Sequence, residues 1–240
     1  MVAATHKKMV AATHKLNPDP KPTPVKAPDI MVRLRERTAH THAATEALPL
    51  MTALLAPTTD ADAYRRYLAA LYGVYRVVEP RLYAAVSPPV LSLLGIQPKL
   101  PALQQDLAAL APSRGALLEA SAALPEGDLR DRMRAAVQSE FAALGGLYVL
   151  EGATLGGRVI ARRLRQQWGP DCGMPFAFLE FRGANPGSEW RRFGDGIRQC
   201  CAGYRDSDKP RIGDEIADGA VAVFAAMHEA FRDACAGDET

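Results

Sequence analysis

The stretch LYVLEGATLGGRVIARRL, residues 147–164, constrains the fold more than any other part of the chain. Leu147, Leu150, Ala153, Ala161 and Leu164 recur at helical spacing, so the segment predicts one face of a helix. Yet Gly145, Gly146, Gly152, Gly156 and Gly157 crowd around its first half, and each glycine costs a helix interior about 1 kcal/mol against alanine. A helix that keeps them needs bare backbone somewhere. One use is close packing, for which the small-x-x-x-small pair Gly152 and Gly156 is suited. The other is to leave room for something that is not a helix.

The rest of the chain supplies a helical setting. DIMVRLRERTAHTHAATEALPLMTALL opens on an Asp cap and closes near Pro49. In TTDADAYRRYLAALYGVYRVVEPRLYAAV, Tyr64, Tyr67, Leu68, Leu71, Tyr75 and Val78 form an apolar stripe near period 3.6, with Thr59 or Asp60 as cap. LPALQQDLAALAP and SRGALLEASAAL predict shorter helices, and DLRDRMRAAVQSEFAALGG is expected to run into the glycine-rich helix. WRRFGDGIRQCCAGY and RIGDEIADGAVAVFAAMHEAFRDACAG complete the set, leaving MPFAFLEF as the one candidate strand. The expected architecture is all-α, a single helical domain over residues 29–237. Ahead of it, the heptad MVAATHK occurs twice, at 1–7 and 9–15, and prolines alternate from Pro18 to Pro24. Such a segment favours extended backbone, so residues 1–28 are expected to be a disordered tail.

Composition removes several function classes. The 29 basic and 27 acidic residues nearly cancel, and no long basic run occurs, so nucleic acid is not an expected partner. No apolar run approaches the roughly 20 residues of a membrane helix, and the N-terminus lacks the apolar core of a signal peptide. Cys172, Cys200, Cys201 and Cys235 have no zinc-type spacing. Adjacent Cys200 and Cys201 are expected to be buried thiols, which suits a reducing cytoplasm.

Chemistry enters with LRERTAHTHAATEAL. Thr38, His42 and Glu46 fall at i, i+4 and i+8, with His40 pointing elsewhere. A carboxylate one turn beyond an imidazole can hold one ring nitrogen and leave the other for a metal. The pair alone fits a solvated role as well as a ligand role. Zinc would need three or four convergent ligands, and the domain has only His40, His42 and His228. A bundle di-iron site would need a second Glu-x-x-His motif. A single axial histidine fits heme better, because the porphyrin supplies the remaining nitrogens.

The two segments together resemble the heme oxygenase family, particularly its bacterial biliverdin-producing branch associated with bacteriophytochromes. The family's Thr-x-x-x-His-x-x-x-Glu helix is matched by Thr38, His42 and Glu46, and its glycine-rich distal helix by Gly152, Gly156 and Gly157. The resemblance spans residues 30–235. It implies that His42 is the axial ligand of heme iron, with Glu46 behind it. It further implies that the glycine helix walls the opposite face closely, steering oxygen toward a ring carbon and opening for product release. Heme would then be both substrate and oxygen-activating group, with biliverdin, ferrous iron and carbon monoxide as products. The chain has no dinucleotide or flavin fingerprint, so electrons must come from a reductase or ferredoxin. A bacteriophytochrome is the attractive recipient of the bilin, with iron acquisition as the other physiological use.

Arg35, two turns before His42, matches a propionate contact of the family, and Arg182 a second one more loosely. Arg158, Arg162, Arg163 and Arg165 could steer an acidic electron donor or the propionates, with solvated charge as the default. The sequence departs from the best-studied branch at Ala153, where an aspartate organises the water that delivers protons; Glu151 and Thr154 are the neighbouring polar groups. That departure keeps open a non-catalytic heme carrier of the same fold. A thiaminase-like hydrolase shares the fold too, but needs an activated cysteine.

Overall fold

Asp29 starts the first helix: its carboxylate accepts from the Met31 N–H at 2.9 Å, satisfying a donor that the first turn leaves without a partner. In the computed structural model, which describes residues 29–110, 126–169, 171–181 and 185–236, this helix is α1, Ile30–Glu46. It is followed by α2 (Pro49–Leu54), α3 (Ala61–Ala85), α4 (Pro88–Leu94) and α5 (Leu100–Leu110). Then come α6 (Glu126–Ala136), α7 (Glu140–Trp168), α8 (Pro186–Ala202) and α9 (Lys209–Ala236). The described residues contain no strand, so the fold is all-α. The tail 1–28, the helix expected over SRGALLEASAAL, and Arg182 lie outside the described residues.

Local chemistry sets the helix ends. Asp60 accepts from Ala63 N at 2.8 Å, Ser139 from Ala142 N at 3.1 Å and Asn185 from Ser188 N at 3.2 Å. Pro49, Pro88 and Pro186 occupy first turns, where a missing N–H costs nothing. Gly95 closes α4 at φ 66°, a left-handed conformation that favours glycine.

One sequence expectation is corrected and one open alternative is decided. The helix starting near Asp128 does not run into the glycine-rich one: the chain breaks at 137–139 and restarts at the Ser139 cap. Serine competes for backbone donors, which makes it a better cap than an interior residue. MPFAFLEF, the one candidate strand, forms none: residues 174–176 are irregular and 177–181 are turns. The N–H groups of Ala177 and Phe178 donate to the Asp106 carboxylate at 2.9 and 2.8 Å, so they have no ladder to join.

The core gathers on α3, whose predicted stripe Tyr64, Tyr67, Leu68, Leu71, Tyr75 and Val78 is buried throughout. Burying each such side chain contributes about 1.5–3 kcal/mol, which outweighs the modest propensity of three tyrosines for helix. Helix α9 packs against α1, α3 and α7 and is the spine on which the candidate site is built.

Candidate functional site

Helices α1 and α7 both run parallel to α9. On one side Arg33 pairs with Asp214 and Arg37 with Asp218 at 2.6 Å; further along, the His42 and Phe224 rings lie 5.5 Å apart and Thr45 Oγ1 meets His228 Nδ1 at 3.1 Å. The residue numbers rise together, so the helices point the same way. The exposed ion pairs contribute little stability but set this register. On the other side Ser139 bonds Glu215, and a Cβ on Gly146 would meet Val223. Having α9 in common, α1 and α7 make no extensive contact with each other, and the region between them is the candidate cleft.

The α7 glycines divide according to what faces them. A Cβ on Gly145 would fall 1.7 Å from the Ile216 carbonyl oxygen, and one on Gly219 of α9 would fall 2.0 Å from the Ala142 carbonyl oxygen. The two helices therefore cross backbone to backbone at a reciprocal glycine contact. Gly146 faces Leu82 of α3, and Gly157 faces Leu179 at 3.2 Å. Gly156 is different: no atom stands within 4 Å of where its Cβ would be, and the position is exposed. Gly152 has only the Trp190 ring edge, at 3.8 Å. Packing against neighbouring helices accounts for Gly145 and Gly146 and packing against the 171–181 segment for Gly157, whereas Gly152 meets only the Trp190 ring edge of α8 and Gly156 meets nothing.

Tyr148, one turn before Gly152, links the two sides of the cleft. Burial raises the pKa of its hydroxyl, and a hydrogen bond with Thr38 and the charge of Arg35 pull it back. Its ring also packs on Trp190 at 5.4 Å. Because α1 and α7 are parallel, His42 and Gly152 each lie one turn beyond the Thr38–Tyr148 link. The His42 side chain is 55% exposed, and Nδ1 is 3.4 Å from Glu46 Oε2. With Nδ1 turned to the carboxylate, Nε2 is the nitrogen directed away from it.

Behind the turn of Gly152 lies a buried polar cluster. Glu79 of α3 accepts from Lys99 N and Leu100 N, both at 2.8 Å, and so caps α5 from a neighbouring helix. Burial raises its pKa, and those two hydrogen bonds oppose the rise. The Lys99 ammonium pairs with Glu151 at 2.9 Å and donates to the Leu150 carbonyl at 2.7 Å; the Tyr75 hydroxyl donates to the same carbonyl at 3.3 Å. Thr154 Oγ1 and Arg158 Nε, further along α7, are buried atoms with no hydrogen-bond partner among the described residues. The segment 171–181 is clamped by Asp106 and by Tyr64, whose hydroxyl donates to the Pro175 carbonyl at 2.8 Å.

The predicted residues thus have distinct settings. Thr38 is buried and donates back to the Leu34 carbonyl at 2.9 Å, whereas His42, Glu46 and Arg35 are exposed. Arg165 is not free to steer a partner: it pairs with Glu180 through both terminal nitrogens and covers the Phe176 ring at 4.9 Å. Arg162 and Arg163 are exposed. Cys172, Cys200 and Cys201 are free thiols. Burial and the neighbouring Cys200 push Cys201 up to about 11, the reverse of an activated nucleophile. Among the described residues, no group of three or more His, Cys, Asp or Glu is placed to hold a metal ion. A separate open groove of about 550 Å³ between α4 and α8 is lined by Leu93, Arg191, Arg192 and Asp195, and contains none of the residues of the cleft.

The heme oxygenase family model matches residues 29–233. The chain belongs to the heme oxygenase family. It is 32% identical over 179 residues to a heme oxygenase of Xanthomonas campestris pv. campestris (strain 8004), taking in 75% of this chain and 94% of that protein. Among solved structures, heme oxygenase from Leptospira interrogans superposes with a TM-score of 0.67 at 22% identity, over 85% of this chain and 99% of that one. Heme oxygenase-1 from the cyanobacterium Synechocystis sp. PCC6803, in complex with heme, gives 0.62 at 22% identity, over 85% and 91%. At those identities the two structures speak to the heme oxygenase fold alone. Sequence reasoning missed Tyr148, Trp190, Phe224 and Lys99. Tyr148 carried a usable signal, one turn from Gly152, while the roles of the others arise from contacts distant in sequence.

Proposed function

We propose that the cleft between α1 and α7 binds heme and that the protein is a heme oxygenase, opening the ring with dioxygen and external electrons to biliverdin, ferrous iron and carbon monoxide. The observation that carries this reading is the open backbone at Gly152 and Gly156, on a helix whose other glycines are filled by neighbours. Helix formation alone would favour alanine at both positions.

The residues present fit such a group. His42 offers Nε2 to iron, and Glu46, 3.4 Å from Nδ1, biases the tautomer and orients the ring. Phe224 packs beside the imidazole and limits its tilt. Arg35, exposed at the cleft edge near Tyr148, suits a propionate, and Arg182 supplies a second cation for the same purpose. Gly152, Gly156 and Gly157 shape the opposing wall: the first two keep its backbone bare, while Gly157 lets the 171–181 segment support it from behind. When bound, the heme iron supplies the oxygen chemistry, and the protein supplies position and a dry wall. Ala153 has no proton to give, so proton delivery there falls to backbone groups, ordered water or another side chain.

Electrons come from a separate reductase or ferredoxin, and a bacteriophytochrome is the proposed recipient of the bilin, with iron acquisition as the other use. The free thiols suit the cytoplasm. We take residues 29–237 as the catalytic domain. Ala153 also favours one competing reading, a heme carrier without turnover.

Optical titration with hemin, of the wild type and of His42→Ala, tests the proposal, followed by ascorbate or a ferredoxin system in air. The expected result is a Soret band saturating near one equivalent, altered by the substitution, and decaying into a biliverdin spectrum. A stable Soret band without bilin leaves the carrier. No Soret band at all removes heme from the cleft.

A further inference from the structure

Lys99 breaks two rules of placement. It is 1% exposed, and an ammonium taken out of water costs several kcal/mol unless it is fully paired. It also stands immediately before α5, where the helix dipole disfavours a cation. Glu79 offsets the second problem by capping α5, and Glu151 the first by pairing with the ammonium at 2.9 Å. A methionine of similar length would fill the space without either compensation. The cation needs another reason to be there, and the Leu150 carbonyl supplies it.

The carbonyl of Leu150 lies two residues before Gly152 and accepts from Lys99 Nζ at 2.7 Å and from Tyr75 Oη at 3.3 Å. Side-chain donors inserted at a helix carbonyl tilt it outward and bend the helix there. Two threonines of α1 illustrate the usual alternative: Thr38 donates to the Leu34 carbonyl at 2.9 Å and Thr45 to the Thr41 carbonyl at 2.7 Å. Thr154 has Leu150 as the equivalent acceptor, but that oxygen is already engaged, and Thr154 Oγ1 is left buried without a partner among the described residues. That oxygen also faces the Thr154 N–H one turn on in the helix, so with two side-chain donors it is already crowded.

We infer that Lys99 is a positioning residue for the distal wall: by capturing the Leu150 carbonyl it sets how far the Gly152–Gly156 segment of α7 stands over the cleft. This inference rests on the reading of the cleft as the heme site. Tyr75 shares the task from α3, and Glu151 holds the ammonium in place.

The test uses the full chain and hemin. Lys99→Met alone leaves Glu151 buried without its cation, so the informative variant is Lys99→Met combined with Glu151→Gln, with Lys99→Arg as the conservative comparison. Amide hydrogen exchange on the hemin-free protein reads the first half of the inference. In the double variant, exchange over residues 150–158 is expected to rise about tenfold while the core of α3 and α9 is unchanged. The ferric hemin complex reads the second half: the Soret band persists, because His42 is untouched, but the spin-state bands shift as the wall moves. Lys99→Arg is expected to restore both. A folded double variant with exchange within about twofold of wild type and an unchanged spectrum overturns the inference. Should that variant fail to fold, Tyr75→Phe, which removes the other donor, is judged by the same two readouts. If wild-type protein gives no Soret band, the heme reading fails by itself, and the exchange data still decide whether Lys99 holds α7.

Discussion

Replacing Gly156 with alanine is expected to move two properties in opposite directions. The position is helical, and an added methyl would have no atom within 4 Å, so the free protein has nothing to clash with. Alanine in a helix interior is favoured over glycine by about 0.5–1 kcal/mol, through the smaller backbone entropy lost on folding. For a domain of this size that raises Tm by about 2–4 °C per kcal/mol. The same methyl points into the space assigned to heme. If the α7 backbone forms a close wall there, inserting a methyl costs about 1–3 kcal/mol of binding, a loss of about 5- to 150-fold in hemin affinity. Calorimetric melting of the hemin-free protein and a hemin titration measure the two effects separately. A variant that melts higher and binds hemin like the wild type would refute the assignment of this face as the distal wall. One that melts lower would refute the open surroundings of Gly156.

Gly145→Ala tests the opposite case. The methyl would fall 1.7 Å from a backbone oxygen of α9, where no side chain can swing aside. The helices must part, and a loss of about 3 kcal/mol or more is expected in urea unfolding, with Gly219→Ala behaving alike; a near-neutral result would contradict the reciprocal crossing. Asp106→Asn should release the 171–181 segment, costing about 1–3 kcal/mol because an amide offers one acceptor where two backbone donors converge. Burial raises the Asp106 pKa, so the folded state binds its proton at a pH where the unfolded chain has lost it. That stabilisation is fully present below the unfolded value near 4 and is lost as pH rises through the raised one. The wild type's advantage over Asp106→Asn should therefore grow as pH falls from 7 toward 4; denaturant titrations showing the opposite trend would contradict the burial of this carboxyl.

Much of the architecture was legible from residue order. The α3 stripe and the Asp29 and Asp60 side chains that begin helices act within a few residues of themselves. Periodicity and capping chemistry are local, and local chemistry survives in a linear string. The helical spacing of Thr38, His42 and Glu46 was equally local, and so was their position on one helix. The break at 137–139 and the turns at 177–181 were not legible in this way, because they depend on Ser139 meeting Glu215 and on Asp106 reaching two distant N–H groups.

The meaning of the glycines could not be read in the same way. Gly145 and Gly152 are interchangeable in a helical pattern, since both cost propensity and both interrupt the apolar face. What separates them is what stands opposite, the Ile216 carbonyl for one and a half-open cleft for the other. Likewise Arg165 reads as a surface charge until Glu180 pairs with it, and Lys99 as a solvated lysine until Glu79, Glu151 and the Leu150 carbonyl surround it. Sequence alone determined that this chain is a set of helices, where most of them begin and end, and that one of them presents a histidine with a carboxylate a turn beyond. Only the tertiary structure decided which backbone is buried and which is bare, because close approach depends on the register and crossing of helices far apart in the chain.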